Sequence, residues 1–191
     1  MREAFAAGQL DFGENYVQEA LAKIAELADV RDQLRWHLIG PLQSNKAREV
    51  SANFDWVHAV DRMKLAQRLS DLRPSGMAPL QVCLQVNISG EDSKSGVAPE
   101  AALALAREVA GLPRLKLRGL MAIPEPAGDL AAQRVPHRAL RKLFEAMNAE
   151  GLGLDTLSIG MSADLEAAIA EGATWVRVGT AIFGSRPGKT A

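Results

Sequence analysis

One cysteine, Cys83, stands among the 191 residues, so no internal disulfide can form and a reducing compartment is the default. Neither sign of charge is in excess: 22 Lys+Arg against 23 Asp+Glu leave −1. That balance offers no electrostatic footprint for nucleic acid or an acidic membrane surface, and any anion must be held locally. No apolar run reaches the length of a membrane span and the start is not signal-like, which points to the cytoplasm. Aromatics are 5% of the chain, with a single tyrosine, Tyr16. Trp36, Trp56 and Trp175 lie in or beside strand-like runs, where packing accounts for them without stacked bases. No two of His37, His58 and His137 have metal-ligand spacing, so no metal is expected. A glycine-rich turn after the first strand, the mark of a doubly wound dinucleotide binder, is missing too.

What is present is ordinary for a globular chain: 48% hydrophobic and 24% charged residues, at a length that suits one domain spanning 1–191. Short β-rich runs alternate with stretches of three- and four-residue apolar spacing. Strands are predicted at 10–13, 35–40, 56–60, 80–88, 115–123, 156–159 and 175–178. Helices are predicted at 14–28, 41–51 with Pro41 in the first turn, 62–72, 99–110, 130–149 with an interruption at Pro136, and 163–170. Residues 1–8 read as the last turns of a further helix. Such alternation implies an α/β architecture with a mostly parallel sheet, either open and doubly wound or a (β/α)8 TIM barrel. A barrel needs eight strands, and the count closes if one strand and part of its helix precede Met1.

In a barrel the residues just past each strand form the functional rim. Here those are Gly13-Glu14-Asn15-Tyr16, Gly40 to Lys46, Asn87-Ile88-Ser89 with Lys94-Ser95-Gly96, Met121 to Pro124, Gly160-Met161-Ser162, and Gly179 to Gly184. Barrels commonly bind phosphate in the loops after the last two strands. Ser162 can cap a helix or turn its hydroxyl to phosphate, and Gly179 and Thr180 can offer unobstructed N–H groups. A plain cap at Ser162 and a plain turn at Gly179 fit the spacing equally well, with Asp164 and Glu166 answering the helix dipole. Arg177, inside an apolar strand, reads first as a structural salt bridge. Lys46 and Lys94 sit in strand-end loops, where most lysines are solvated. His37 and His58 read as hydrogen-bonded core residues, and His137 as lying in an exposed segment.

Taken together, six blocks resemble the YggS/PROSC-type pyridoxal 5′-phosphate homeostasis proteins. They are Phe12-Gly13-Glu14-Asn15-Tyr16-Val17-Gln18-Glu19; the run from His37 to Lys46; Val86-Asn87-Ile88 with Lys94-Ser95-Gly96; Leu117 to Pro124; Leu157 to Asp164; and Val176 to Gly184. The resemblance implies a (β/α)8 TIM barrel of the alanine-racemase type that binds pyridoxal 5′-phosphate without turnover. The implied cofactor-binding residues are Asn15 at the rim, Met161, Ser162, Gly179 and Thr180, with phosphate on the last three, and Arg177 near the pyridine nitrogen. No catalytic residue is implied. An arginine there is a poor proton source, which leaves the ring a weaker electron sink.

The family's Schiff-base lysine lies upstream of the Gly-Glu-Asn block and has no counterpart in these residues, so Lys94 becomes the substitute candidate. The expected role is an intracellular carrier or buffer of pyridoxal phosphate, a monomer, with apo-enzymes of that cofactor as partners and with neither nucleic acid nor membrane. Two alternatives stay open: a racemase-like enzyme, which needs opposed acid/base groups on both ligand faces, and an inactive truncated barrel.

Overall fold

A computed structural model describes residues 1–90 and 95–184; Lys94 lies outside the described residues. The strands are β1 (Asp11–Glu14), β2 (Arg35–Leu38), β3 (Trp56–Val60), β4 (Leu80–Gln85), β5 (Leu115–Met121), β6 (Thr156–Met161) and β7 (Trp175–Arg177). They form one sheet in chain order, every pair parallel. Between them run α2 (Val17–Glu26), α3 (Ala47–Asn53), α4 (Met63–Leu72), α5 (Pro99–Ala110), α6 (Leu130–Ala149) and α7 (Leu165–Ala170), with α1 (Arg2–Ala6) before β1 and α8 (Thr180–Phe183) after β7. Among the described residues no helix is long and apolar enough to cross a membrane.

The sheet is curled into a nearly closed barrel, because side chains of early strands touch those of late ones. His58 of β3 reaches Ser158 of β6 at 2.8 Å, and the rings of His37 (β2) and Trp175 (β7) lie 4.8 Å apart. Alternation along each strand separates two layers. Phe12, Trp36, Leu38, Val57, Leu80, Val82 and Leu84 face outward into the core beneath the helices. Trp56, Cys83, Met121 and Trp175 face the interior, together with His37 and His58. Burial on both faces is what a parallel sheet under helices demands.

Helix α4 buries Leu65, Ala66, Leu69 and Ser70, a stripe at one- and four-residue steps, and each leucine contributes roughly 1.5–3 kcal/mol by leaving water. Helix α5 starts on Pro99, and α6 is capped by Asp129, whose side chain accepts from Ala132 N–H at 2.8 Å. Gly119 permits the closest strand approach: a Cβ there would lie 1.7 Å from the Thr156 carbonyl.

Four expectations are corrected. Pro41 begins no helix, since Leu42 is drawn into the core and Gln43 is extended, and a 3-10 turn at Ser44–Lys46 precedes α3. Pro136 does not interrupt α6, which runs through it: proline removes one bond, and the buried Leu140 and Met147 anchor the rest. His137 is not exposed but 1% accessible. The fourth strand stops at Gln85, because the chain then pairs with Val97 through Val86 and Asn87.

Candidate functional site

At the C-terminal rim, β6 and β7 end side by side, with Met161 opposite Arg177. One residue further lies Ser162; two and three residues beyond Arg177 lie Gly179 and Thr180. Sequence spacing placed these groups on neighbouring loops, and the register brings them to the same end of the same strand pair. Gly160, at φ +91°, lets the β6 terminus lie against α7, where a Cβ would come within 2.5 Å of the Ala168 Cβ. Among the described residues nothing lies within 4 Å of a Cβ position at Gly179. The first-turn N–H groups of α8, those of Thr180 and Ala181, have no acceptor within the helix.

Ser162 is exposed and is not the cap of α7. Asp164 holds the cap position, and its Oδ1 accepts from Met161 N–H at 2.7 Å. The backbone N–H of Met161 is therefore committed inside the loop, while the Ser162 hydroxyl has no hydrogen-bond partner among the described residues. The Asp164 carboxylate is steadied in turn by His137, whose Nε2 lies 2.9 Å from Oδ2.

Arg177 makes no salt bridge among the described residues, contrary to the first reading of its position. Its partners are neutral: Nη1 donates to the Ser158 carbonyl at 2.6 Å and to Ser158 Oγ at 2.9 Å, and Nη2 donates to the Ala122 carbonyl at 3.0 Å. Burial pushes the guanidinium down to about 10, with Asp164 acting in the opposite sense, so it remains cationic at neutral pH. Three of its five N–H groups are thereby used, and two have no acceptor among the described residues. Behind it, Ser158 touches His58, His58 touches His37 at 3.0 Å, and His37 touches Asp11 at 3.0 Å. Sequence reading placed both histidines in the core but did not join them, because the joining contacts link residues up to 100 positions apart.

Asn15 follows β1 at the same rim, its backbone held tightly against Gly40, where a Cβ would lie 2.2 Å from the Asn15 carbonyl. Lys46 pairs with Glu49 at 3.3 Å. Tyr16 caps α2 without a side-chain cap bond and is 53% exposed. The described structure thus brings together Met161, Ser162, Arg177, Gly179 and Thr180, with Asn15 past the other edge strand of the sheet.

Comparison with known proteins shows the family and the fold. The alanine racemase N-terminal domain model matches residues 1–187. A "Pyridoxal phosphate homeostasis protein" of Pseudomonas aeruginosa is 64% identical over 186 residues, 97% of this chain and 79% of the relative; its Escherichia coli K12 counterpart is 52% identical, over 96% and 79%. The structure of PipY from Synechococcus elongatus PCC7942 with PLP bound superimposes with a TM-score of 0.87 at 43% identity, covering 96% of this chain and 85% of that one. An alanine racemase of Clostridium difficile, 14% identical, matches at TM-score 0.72 over 94% of this chain and 48% of its own, which shows the fold alone. The chain belongs to the alanine racemase N-terminal domain family, and within it to the pyridoxal phosphate homeostasis proteins.

Proposed function

We propose that this chain binds pyridoxal 5′-phosphate and serves its homeostasis as a carrier or buffer, without catalytic turnover. The observation that carries this reading is the cationic Arg177, held by neutral partners with two N–H groups unspent, beside the open cup of Ser162, Gly179 and Thr180. The residues present fit the cofactor: a free hydroxyl and first-turn N–H groups suit a phosphate monoester, and a glycine with space around it leaves room for the oxygens. Ser162, Gly179 and Thr180 would take the phosphate, Arg177 the ring nitrogen, and Asn15 and Met161 the rim.

Pyridoxal phosphate, when bound, supplies an aldehyde and an electron-withdrawing pyridine ring. Arg177 keeps its proton at neutral pH and donates only a hydrogen bond, so it leaves the ring nitrogen unprotonated. The ring then stabilises carbanions poorly, which favours holding over turnover. A racemase needs acid/base groups on both ligand faces, whereas the lone tyrosine is half-exposed at the start of α2.

The binding proposed from these residues is non-covalent, with Lys94 as the candidate amine for any covalent hold. The same reading takes 1–191 as one barrel domain, monomeric, located in the cytoplasm, and delivering its cargo to apo-enzymes that use the cofactor. The names of the relatives and the buried lone Cys83 support it. Loaded protein is predicted to reactivate an apo-enzyme dependent on pyridoxal phosphate and to cause no exchange of the α-hydrogen of alanine in deuterium oxide. Exchange above the rate given by free cofactor would overturn the carrier reading in favour of an enzyme.

A further inference from the structure

Five side chains cross the barrel interior in an unbroken line. Asp11 Oδ1 lies 3.0 Å from His37 Nε2, His37 Nδ1 lies 3.0 Å from His58 Nε2, His58 Nδ1 lies 2.8 Å from Ser158 Oγ, and that oxygen lies 2.9 Å from Arg177 Nη1. The members come from β1, β2, β3, β6 and β7, so the line spans the sheet from one edge to the other. Two aromatic contacts hold its middle: His37 stacks on Trp56 at 5.4 Å and lies 4.8 Å from Trp175.

The ends of this line dictate its interior. A guanidinium only donates and an ionised carboxylate only accepts. Asp11 is ionised: burial works against its charge, but hydrogen bonds from Arg35 and His37 outweigh burial and hold it well below the usual carboxylate range. With one proton on each imidazole, a single pattern satisfies every contact. Arg177 donates to Ser158 Oγ, so the Ser158 hydroxyl donates to His58 Nδ1. His58 then carries its proton on Nε2 and donates to His37 Nδ1, and His37 carries its proton on Nε2 and donates to Asp11. Burial, with Arg177 acting in the same sense, keeps the His58 imidazole neutral. All four hydrogen bonds point from cation to anion, and aligned bonds in a low-dielectric interior strengthen one another.

We propose that Ser158, His58 and His37 are positioning residues for the cofactor ring. The polarised line from Arg177 to Asp11 anchors Nη1, while the Ala122 carbonyl anchors Nη2, so the guanidinium presents its two remaining N–H groups in one fixed orientation. The ligand's identity rests on the function proposed above, but the line itself is a property of the protein alone and is testable without ligand.

Long-range proton–nitrogen NMR correlation of the 191-residue chain carrying 15N-histidine reads the tautomers directly. The expected result near neutral pH is that His37 and His58 are both neutral with the proton on Nε2. A proton on His58 Nδ1, or a doubly protonated His37, would overturn the line as described. The second arm titrates pyridoxal phosphate into wild type, Ser158→Ala and Ser158→Thr. Loss of the serine hydroxyl is expected to weaken binding about tenfold and to shift the His58 Nδ1 resonance, with threonine restoring both. Unchanged affinity in Ser158→Ala overturns the positioning role. Tight binding by a wild type with the wrong tautomers sinks this inference alone, whereas no binding by a wild type with the right tautomers sinks the proposed function and the positioning role with it.

Discussion

His137 donates from Nε2 to Asp164 Oδ2 at 2.9 Å, tying the middle of α6 to the loop that follows β6. The other oxygen of that carboxylate takes Met161 N–H, so one aspartate fixes the approach to Ser162 from two sides. Removing the acceptor frees a backbone N–H and leaves a buried imidazole unpaired. Asp164→Ala is expected to lower stability by about 1–3 kcal/mol and to weaken pyridoxal phosphate binding roughly tenfold, with Asp164→Asn intermediate. Denaturant unfolding and ligand titration on the same variants check the two effects, and wild-type affinity in Asp164→Ala would show that the loop is held without this carboxylate.

Glycines at the rim separate a structural role from a binding role. Gly40→Ala forces a Cβ to 2.2 Å from the Asn15 carbonyl, so the expected cost is more than about 2 kcal/mol, together with displacement of Asn15. Gly179→Ala meets no atom of the described residues, so stability should change by less than about 1 kcal/mol. Its methyl group enters the space assigned to phosphate, so affinity should fall at least roughly tenfold. Thermal unfolding beside ligand titration distinguishes the two variants, and a Gly179→Ala protein that binds normally places the phosphate elsewhere.

Acid stability should report on Glu171. Its side chain is only 1% accessible, and Arg134, Arg138 and Arg141 of α6 all converge on it. The hydrogen bond from Arg138 lowers its carboxyl to about 2 against opposition from burial, with Arg134 assisting. A folded-state value below the unfolded one means that this contribution is complete above the ordinary 4.5 and disappears as pH falls toward about 2. Glu171→Gln should therefore flatten the loss of stability across that window. Denaturant midpoints measured through it will show an unchanged slope if the cluster contributes nothing.

Cys83 sits between Trp56 and Met121 in the barrel interior, and burial pushes its thiol far above the usual range. The native protein is expected to resist alkylation by iodoacetamide and to react only after unfolding. Rapid native modification would place the thiol nearer solvent than the interior packing allows.

Elements with a strong local signal were legible before any coordinates. Helix α5 opens on a proline and carries a four-residue apolar period, and β3 is a run that is apolar except for His58 and is bounded by Asp55 and Asp61; both have the predicted limits. The proposed phosphate cup rests on a local signal as well, since Ser162 and Gly179-Thr180 each come just past a strand end. Three features were not legible. Proline at 41 is as compatible with an extended segment as with a helix start, and burial of Leu42 chose the former. Proline at 136 looked like a break and is tolerated because tertiary packing holds α6 on both sides of it. The neutral partners of Arg177, and the histidines behind them, depend on curling of the sheet, which brings β3 against β6 and which no local pattern encodes.

Calorimetric titration of the 191-residue chain with pyridoxal 5′-phosphate and, in parallel, with pyridoxal tests the central claim most directly. The two ligands share the ring and aldehyde and differ only in the phosphate that Ser162, Gly179 and Thr180 are assigned to hold. Saturable one-to-one binding of the phosphate ester, with pyridoxal at least about a hundredfold weaker, is the predicted result. Equal affinity for the two ligands, or no binding of either, would contradict it.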